Sequence, residues 1–105
     1  MITHTVFFKL NHPVGSAAET DFLKAALALG KIPGVQNLTC VKQVSAKNDF
    51  AYGLVMGFED DQAYHLYNVH PEHVAFVTKR WHPEVAKFLE IDYVTHPLSG
   101  PGVSK

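Results

Sequence analysis

Residues 2–10 (ITHTVFFKL) alternate: Ile2, His4, Val6, Phe8 and Leu10 point one way, and Thr3, Thr5, Phe7 and Lys9 the other. A period of two with β-branched and aromatic residues is the signature of a strand. Asn11-His12-Pro13-Val14-Gly15 ends it. Ser16-Ala17-Ala18-Glu19 then matches a capping box, and Phe22, Leu23, Ala26, Leu27 and Gly30 follow at helical spacing, so a helix is expected to run to about Gly30. Residues 35–45 (VQNLTCVKQVS) predict a second strand with weaker alternation, and Lys47-Asn48-Asp49 a turn. Residues 50–58 predict a third strand, with Phe50, Tyr52, Leu54, Met56 and Phe58 on one side and Ala51, Gly53, Val55 and Gly57 on the other. Asp60 or Asp61 caps a helix to about Val69 that carries Ala63, Tyr64 and Tyr67 on one side. His70-Pro71 interrupts it, because the residue before a proline avoids α geometry while the proline suits a first helical position. A second helical piece is expected over 71–80, then a short turn with Val85 and Phe88, and a last strand over 89–95 (LEIDYVT).

The predicted order is β-α-β-β-α-β, an α+β ferredoxin-like fold with a four-stranded antiparallel sheet. Residues 1–96 are expected to form one domain and 97–105 a flexible C-terminal tail. Such a fold packs its helices on one face of the sheet and leaves the other bare. Strand three is apolar on both sides and strand one adds Phe7, so the bare face predicts a partner. A second copy stacked sheet to sheet is the economical solution, and a homodimer is expected.

Composition narrows the function classes. The 105 residues hold nine Lys+Arg against ten Asp+Glu, with neither sign gathered into a block. No basic face is available for phosphates, which argues against nucleic acid as a partner. No apolar run approaches the roughly 20 residues that span a bilayer, and MITHTVFFKL lacks the features of a signal peptide. The single Cys40 closes no internal disulfide. A soluble, cytoplasmic domain without membrane partners is the resulting expectation.

The seven histidines and six prolines stand out, four of the prolines directly following a histidine. The densest chemistry is Tyr64-His65-Leu66-Tyr67-Asn68-Val69-His70-Pro71-Glu72-His73. One possibility is structural: His70 caps the helix and His73 lies at the surface. The other places His73 inward as a general base, with Tyr67 holding or polarising a substrate oxygen. His4 shares the helix-covered strand face with Val6 and Phe8, where a polar group needs a partner; either a Tyr or the backbone satisfies it within the core, or it joins Tyr67 and His73 in a shared polar pocket. Val6, Phe8, Phe22, Tyr64, His70 and Trp81 are the expected substrate-binding residues around it. A metal held by His70, His73 and His82 with Glu72 or Glu84 is disfavoured by Pro71 and Pro83 beside two of the ligands and by the lack of tight ligand spacing. Haem has only a helix histidine in its favour. No metal and no cofactor is expected.

The strand ITHTVFFKL, the Ile32-Pro33-Gly34-Val35 turn, the Gly57-Phe58-Glu59-Asp60 strand end, the Tyr67-x-x-His70-Pro71-x-His73 segment and Ile91-Asp92-Tyr93 occur in that order. Together they resemble the stress-responsive A/B barrel (Dabb) family over about residues 2–95. The resemblance implies a ferredoxin-like homodimer whose two sheets close into one barrel. The family includes many bacterial members without an assigned activity, so it implies first a binding or stress-response dimer with a small, mostly apolar pocket. A distant similarity to plant polyketide (olivetolic acid) cyclases implies a second possibility. Their first-strand His, Tyr and second His of His-Pro-x-His match His4, Tyr67 and His73, which gives these three catalytic roles in an intramolecular aldol or isomerase-type step with His73 as base. The plant cyclase's first-helix pocket Tyr is absent from Lys24-Ala25-Ala26-Leu27-Ala28, which implies a different substrate. Haem-degrading monooxygenase-like barrels share the architecture as a fainter third option.

Overall fold

In the computed structural model, residues 1–99 are described. Strand β1 (Ile2–Leu10) is followed by helix α1 (Ala17–Leu27), strands β2 (Gln36–Lys42) and β3 (Tyr52–Phe58), helices α2 (Asp61–Val69) and α3 (Pro71–Phe76), and strand β4 (Val85–Tyr93). The strands form one sheet in the order β2-β3-β1-β4, and every neighbouring pair is antiparallel. This is the expected ferredoxin-like α+β arrangement, with the hydrophobic strand β1 beside the centre and β2 and β4 at the edges.

Local chemistry explains most element ends. The Ser16 side chain accepts the Glu19 N–H, while the Glu19 carboxylate reaches back to the Gly15 N–H at 3.0 Å, a capping box displaced by one residue. Asp60 caps α2 through the Ala63 N–H. His70 lies in extended geometry between α2 and α3, as the residue before Pro71 must, and its ring caps α3.

The structure departs from the sequence expectation in five places, the smallest being that β3 begins at Tyr52 rather than at Phe50. Helix α1 ends at Leu27 and tightens into a 3₁₀ turn over Ala28–Lys31 rather than running as α-helix to Gly30. Strand β2 is shorter than 35–45, and its register shifts between Gln36 and Thr39 beside Asn37 at φ 53. A bulge there breaks the alternation. The helix over 71–80 is α only to Phe76 and widens into a π turn over Val77–Trp81, which brings the Trp81 ring against Phe8 and Phe22. Strand β4 starts at Val85 and ends at Tyr93, so Val85 and Phe88 are strand residues and not a turn. The open edge of β1 pairs from Thr3 opposite Tyr93 to Leu10 opposite Val85, with a register shift between Lys9 and Leu10, and draws that segment into the sheet despite its weak alternation. Pro97–Ser99 form a 3₁₀ turn, and the remainder of the expected tail, 100–105, lies outside the described residues.

One face of the sheet carries the core. Phe8, Phe22, Phe58 and Met56 are its largest fully buried side chains, joined by Val6, Leu10, Leu54, Tyr67 and Phe76. On the other face, Phe7 lies flat over Gly53, where a Cβ would meet its ring at 2.5 Å. Leu89, Ile91 and Tyr93 project from β4 on that same side, opposite Phe7, Thr5 and Thr3, and all three are exposed.

Candidate functional site

The antiparallel pairing of β1 with β4 sets the site. His4 stands opposite Asp92 and Val6 opposite Glu90, so the polar side of β4 faces the helices together with the buried side of β1. His4 is only 5% exposed. Its Nδ1–H donates to Asp92 Oδ1 at 2.5 Å, the Tyr64 hydroxyl donates to Asp92 Oδ2 at 2.7 Å, and the same hydroxyl lies 2.8 Å from His4 Nδ1. The buried histidine therefore has its partners, and in the neutral ring this tautomer makes Nε2 the nitrogen without a proton. Glu90 Oε2 is 3.8 Å from that Nε2. Tyr64 also stacks on Phe58, their ring centroids 4.8 Å apart, which fixes its approach to the pair.

Across the same space, His73 follows Pro71 in the first turns of α3. Its Nδ1–H donates to the Asn68 carbonyl at 3.1 Å, so its Nε2 is likewise the unprotonated nitrogen. Burial pushes its pKa below the ordinary imidazole value, against the opposing hydrogen bond to Asn68. The His73 ring lies 4.3 Å from that of Tyr67, centroid to centroid, and Tyr67 lies 6.5 Å from His4. Tyr67 is 2% exposed, yet among the described residues its hydroxyl makes no hydrogen bond. Burial drives its pKa up, with the Glu90 charge adding to the effect, so the hydroxyl stays protonated and acts as a donor.

These groups meet in a cavity of about 260 Å³ between sheet and helices. His4, Tyr67, Asn68, His73, His82 and Glu90 supply its polar wall; Val6, Leu29, Leu54, Met56, Phe76, Val77, Trp81 and Phe88 supply the apolar one. Of the residues singled out from sequence, His4, Tyr67, His73, Val6 and Trp81 line this space. Tyr64 stands behind it, bonded to Asp92 and His4. Phe8 and Phe22 do not reach it: both are fully buried in the core, where they pack edge to face. His70 does not reach it either, because its Nδ1 is occupied by the Glu72 N–H at 3.1 Å. The sequence analysis missed Asp92, Glu90 and Asn68. The signal for the first two was present in the alternation of Phe88, Glu90 and Asp92, which shares a face with His4 once β4 pairs with β1. Among the described residues no group of three or more His, Cys, Asp or Glu side chains is placed to hold a metal ion.

The model of the stress-responsive A/B barrel domain matches residues 2–95. The chain belongs to the Dabb family. A Dabb protein from Mesorhizobium loti with a ferredoxin-like fold is 50% identical, with a TM-score of 0.88 over 90% of this chain and 96% of that one. An Arabidopsis thaliana protein superposes with a TM-score of 0.82 at 24% identity, covering 94% of this chain and 99% of its own. A dimeric ferredoxin-like protein of unknown function from Thermobifida fusca does so with a TM-score of 0.74 at 21% identity, over 90% of each chain. No curated protein sequence matches the chain. Among the described residues, no helix of this Dabb domain is long and apolar enough to cross a membrane.

Proposed function

We propose that this Dabb domain is a homodimer whose cavity binds a small, mostly apolar molecule carrying one polar group. The observation that carries the ligand reading is the pair of unengaged polar atoms in the 260 Å³ cavity: the Tyr67 hydroxyl and the His73 Nε2. Among the described residues no enclosed side-chain polar atom lacks a partner, so these two atoms open onto the cavity, where a hydroxyl donor beside an imidazole acceptor suits a ligand that supplies both. The volume lies just under the range of about 300–1,000 Å³ usual for small-molecule sites, which favours a small ligand. Dimerisation is supported by the apolar outer face of β1 and β4, and the Thermobifida fusca relative is dimeric. The domain is proposed to consist of residues 1–96. The cytoplasm is its proposed location, where a lone cysteine suits a reducing compartment. Neither nucleic acid nor a membrane has a part in this reading.

The second reading is acid–base catalysis of the cyclase or isomerase type. It is favoured by the tautomer and depressed pKa of His73, which keep Nε2 unprotonated at neutral pH and able to take a proton from a carbon beside a carbonyl. Tyr67 would donate to the oxygen that gains charge, and His4, oriented by Asp92 and Tyr64, would hold the remaining polar end. Imidazole NMR on the wild type and His73→Ala, with a panel of small β-diketones, tests both. The expected result is a His73 titration below the ordinary value and ligand-dependent shifts at His4 and His73. An exchange or aldol assay with the binding compounds then separates catalyst from binder. Free-imidazole behaviour with no response to any compound would remove the ligand reading and leave the dimeric barrel.

A further inference from the structure

The polar end of the cavity is rich in acceptors. With Nδ1 of His4 committed to Asp92 and Nδ1 of His73 to Asn68, both Nε2 atoms are lone pairs. Glu90 adds a carboxylate 3.8 Å from His4 Nε2, beyond hydrogen-bond reach. Asp92 differs from Glu90 in that both of its oxygens are engaged, by His4 and Tyr64. No lysine or arginine lines the cavity, and the single arginine, Arg80, is held by Glu84 and Asp21. Tyr67, nearly fully buried, brings the hydroxyl donor into this acceptor-rich space.

We propose that Glu90 sets the charge selectivity of the cavity, which admits uncharged carbonyl compounds and disfavours carboxylates of the same shape. This inference rests on the ligand-binding reading above and adds the substrate class. An uncharged carbonyl compound accepts the Tyr67 hydroxyl proton through its oxygen, and presents an acidic C–H or hydroxyl to the imidazole lone pairs. A carboxylate finds no lysine or arginine in the cavity wall and is repelled by Glu90. Asn68 and His82 also line the cavity, and their amide and ring N–H groups can donate to the oxygen of either ligand, so they do not single out the carboxylate.

Acetylacetone and acetoacetate form a near-isosteric pair, a methyl group in one replaced by a charged oxygen in the other. Their dissociation constants, measured by NMR titration at pH 7.5 on wild type, Glu90→Gln and Glu90→Ala, test the proposal. The ratio of acetoacetate to acetylacetone dissociation constants should fall about fivefold in both variants, the scale expected for a half-exposed, solvent-screened charge pair. Glu59→Gln, an exposed carboxylate outside the cavity, should leave the ratio unchanged. Acetylacetone binding with an identical ratio in all proteins would overturn the role of Glu90 and leave the ligand reading standing. Failure of the wild type to bind either compound, with no shift at His73, would overturn both.

Discussion

The two faces of the sheet invert the usual distribution of polarity on β4. On the helix-covered side that strand presents Glu90 and Asp92, and on the uncovered side Leu89, Ile91 and Tyr93. A half-buried antiparallel strand ordinarily keeps its apolar residues inward and its polar residues toward water. Both departures have a physical reason. Of the inward carboxylates, Glu90 lines the cavity and Asp92 satisfies the buried His4 and Tyr64, and the outward apolar residues extend the patch formed by Phe7 over Gly53. On β1 and β3 the covered face is ordinary core apart from His4. The contrast within one sheet separates a region that holds the fold from one that serves a site and a surface.

That contrast can be broken from either side. The largest effect is expected in the ordinary core: Phe8→Ala should cost about 3–5 kcal/mol in denaturant unfolding, because a fully buried ring leaves a cavity that β1 and α1 cannot close. Ile91→Asp on the uncovered face should act differently, weakening self-association about tenfold or more in sedimentation equilibrium while the monomer keeps its far-UV spectrum. If its unfolding midpoint fell as far as that of Phe8→Ala with no change in mass, the two faces would not be distinct in role. Next in size, Tyr64→Phe removes a hydrogen bond to Asp92, and a loss of about 1 kcal/mol is expected with the His4 ring signals broadened or shifted.

The smallest effect is a pH slope. The folded-state pKa of His73 lies below its unfolded value, so between the two the unfolded chain binds more protons and stability falls as pH drops. The window opens just under the ordinary imidazole pKa of about 6.5 and closes below the folded value. Comparing the stability of wild type and His73→Ala between pH 7.5 and 5 checks this: the wild type should lose the larger amount. An equal loss in the two proteins would show that His73 does not stay neutral in the fold.

Much of this was legible in the chain. The alternation of β1 and β3, the Ser16 and Asp60 caps and the His70-Pro71 break are local signals, and each element formed where its own residues favour it, to within a few positions. The grouping of His4 with Tyr67 and His73 followed from assigning each to the covered face. The failures were at places where a distant partner decides the outcome. Val85–Phe88 have weak strand alternation, yet the open edge of β1 recruits them. The π turn at Val77–Trp81 depends on where the Trp81 ring finds Phe8 and Phe22, which lie on other elements. Phe8 and Phe22 are apolar residues on the correct faces, but depth in the core separates them from the cavity wall, and depth has no sequence period.

The sequence by itself determined the order of elements, the ferredoxin-like class and the residue types available for chemistry, because periodicity, caps and proline breaks act over a few neighbouring residues. Only the tertiary structure decided which of those residues share a site. The register of β4 on β1 brings Asp92 to His4 and Glu90 to the cavity, and the packing of α2 on β3 sets Tyr64 over Phe58. A register shift of one residue would exchange the two faces of β4, sending its carboxylates outward and its apolar side chains into the cavity. That register comes from hydrogen bonds between strands some eighty residues apart in sequence, and no local pattern records it.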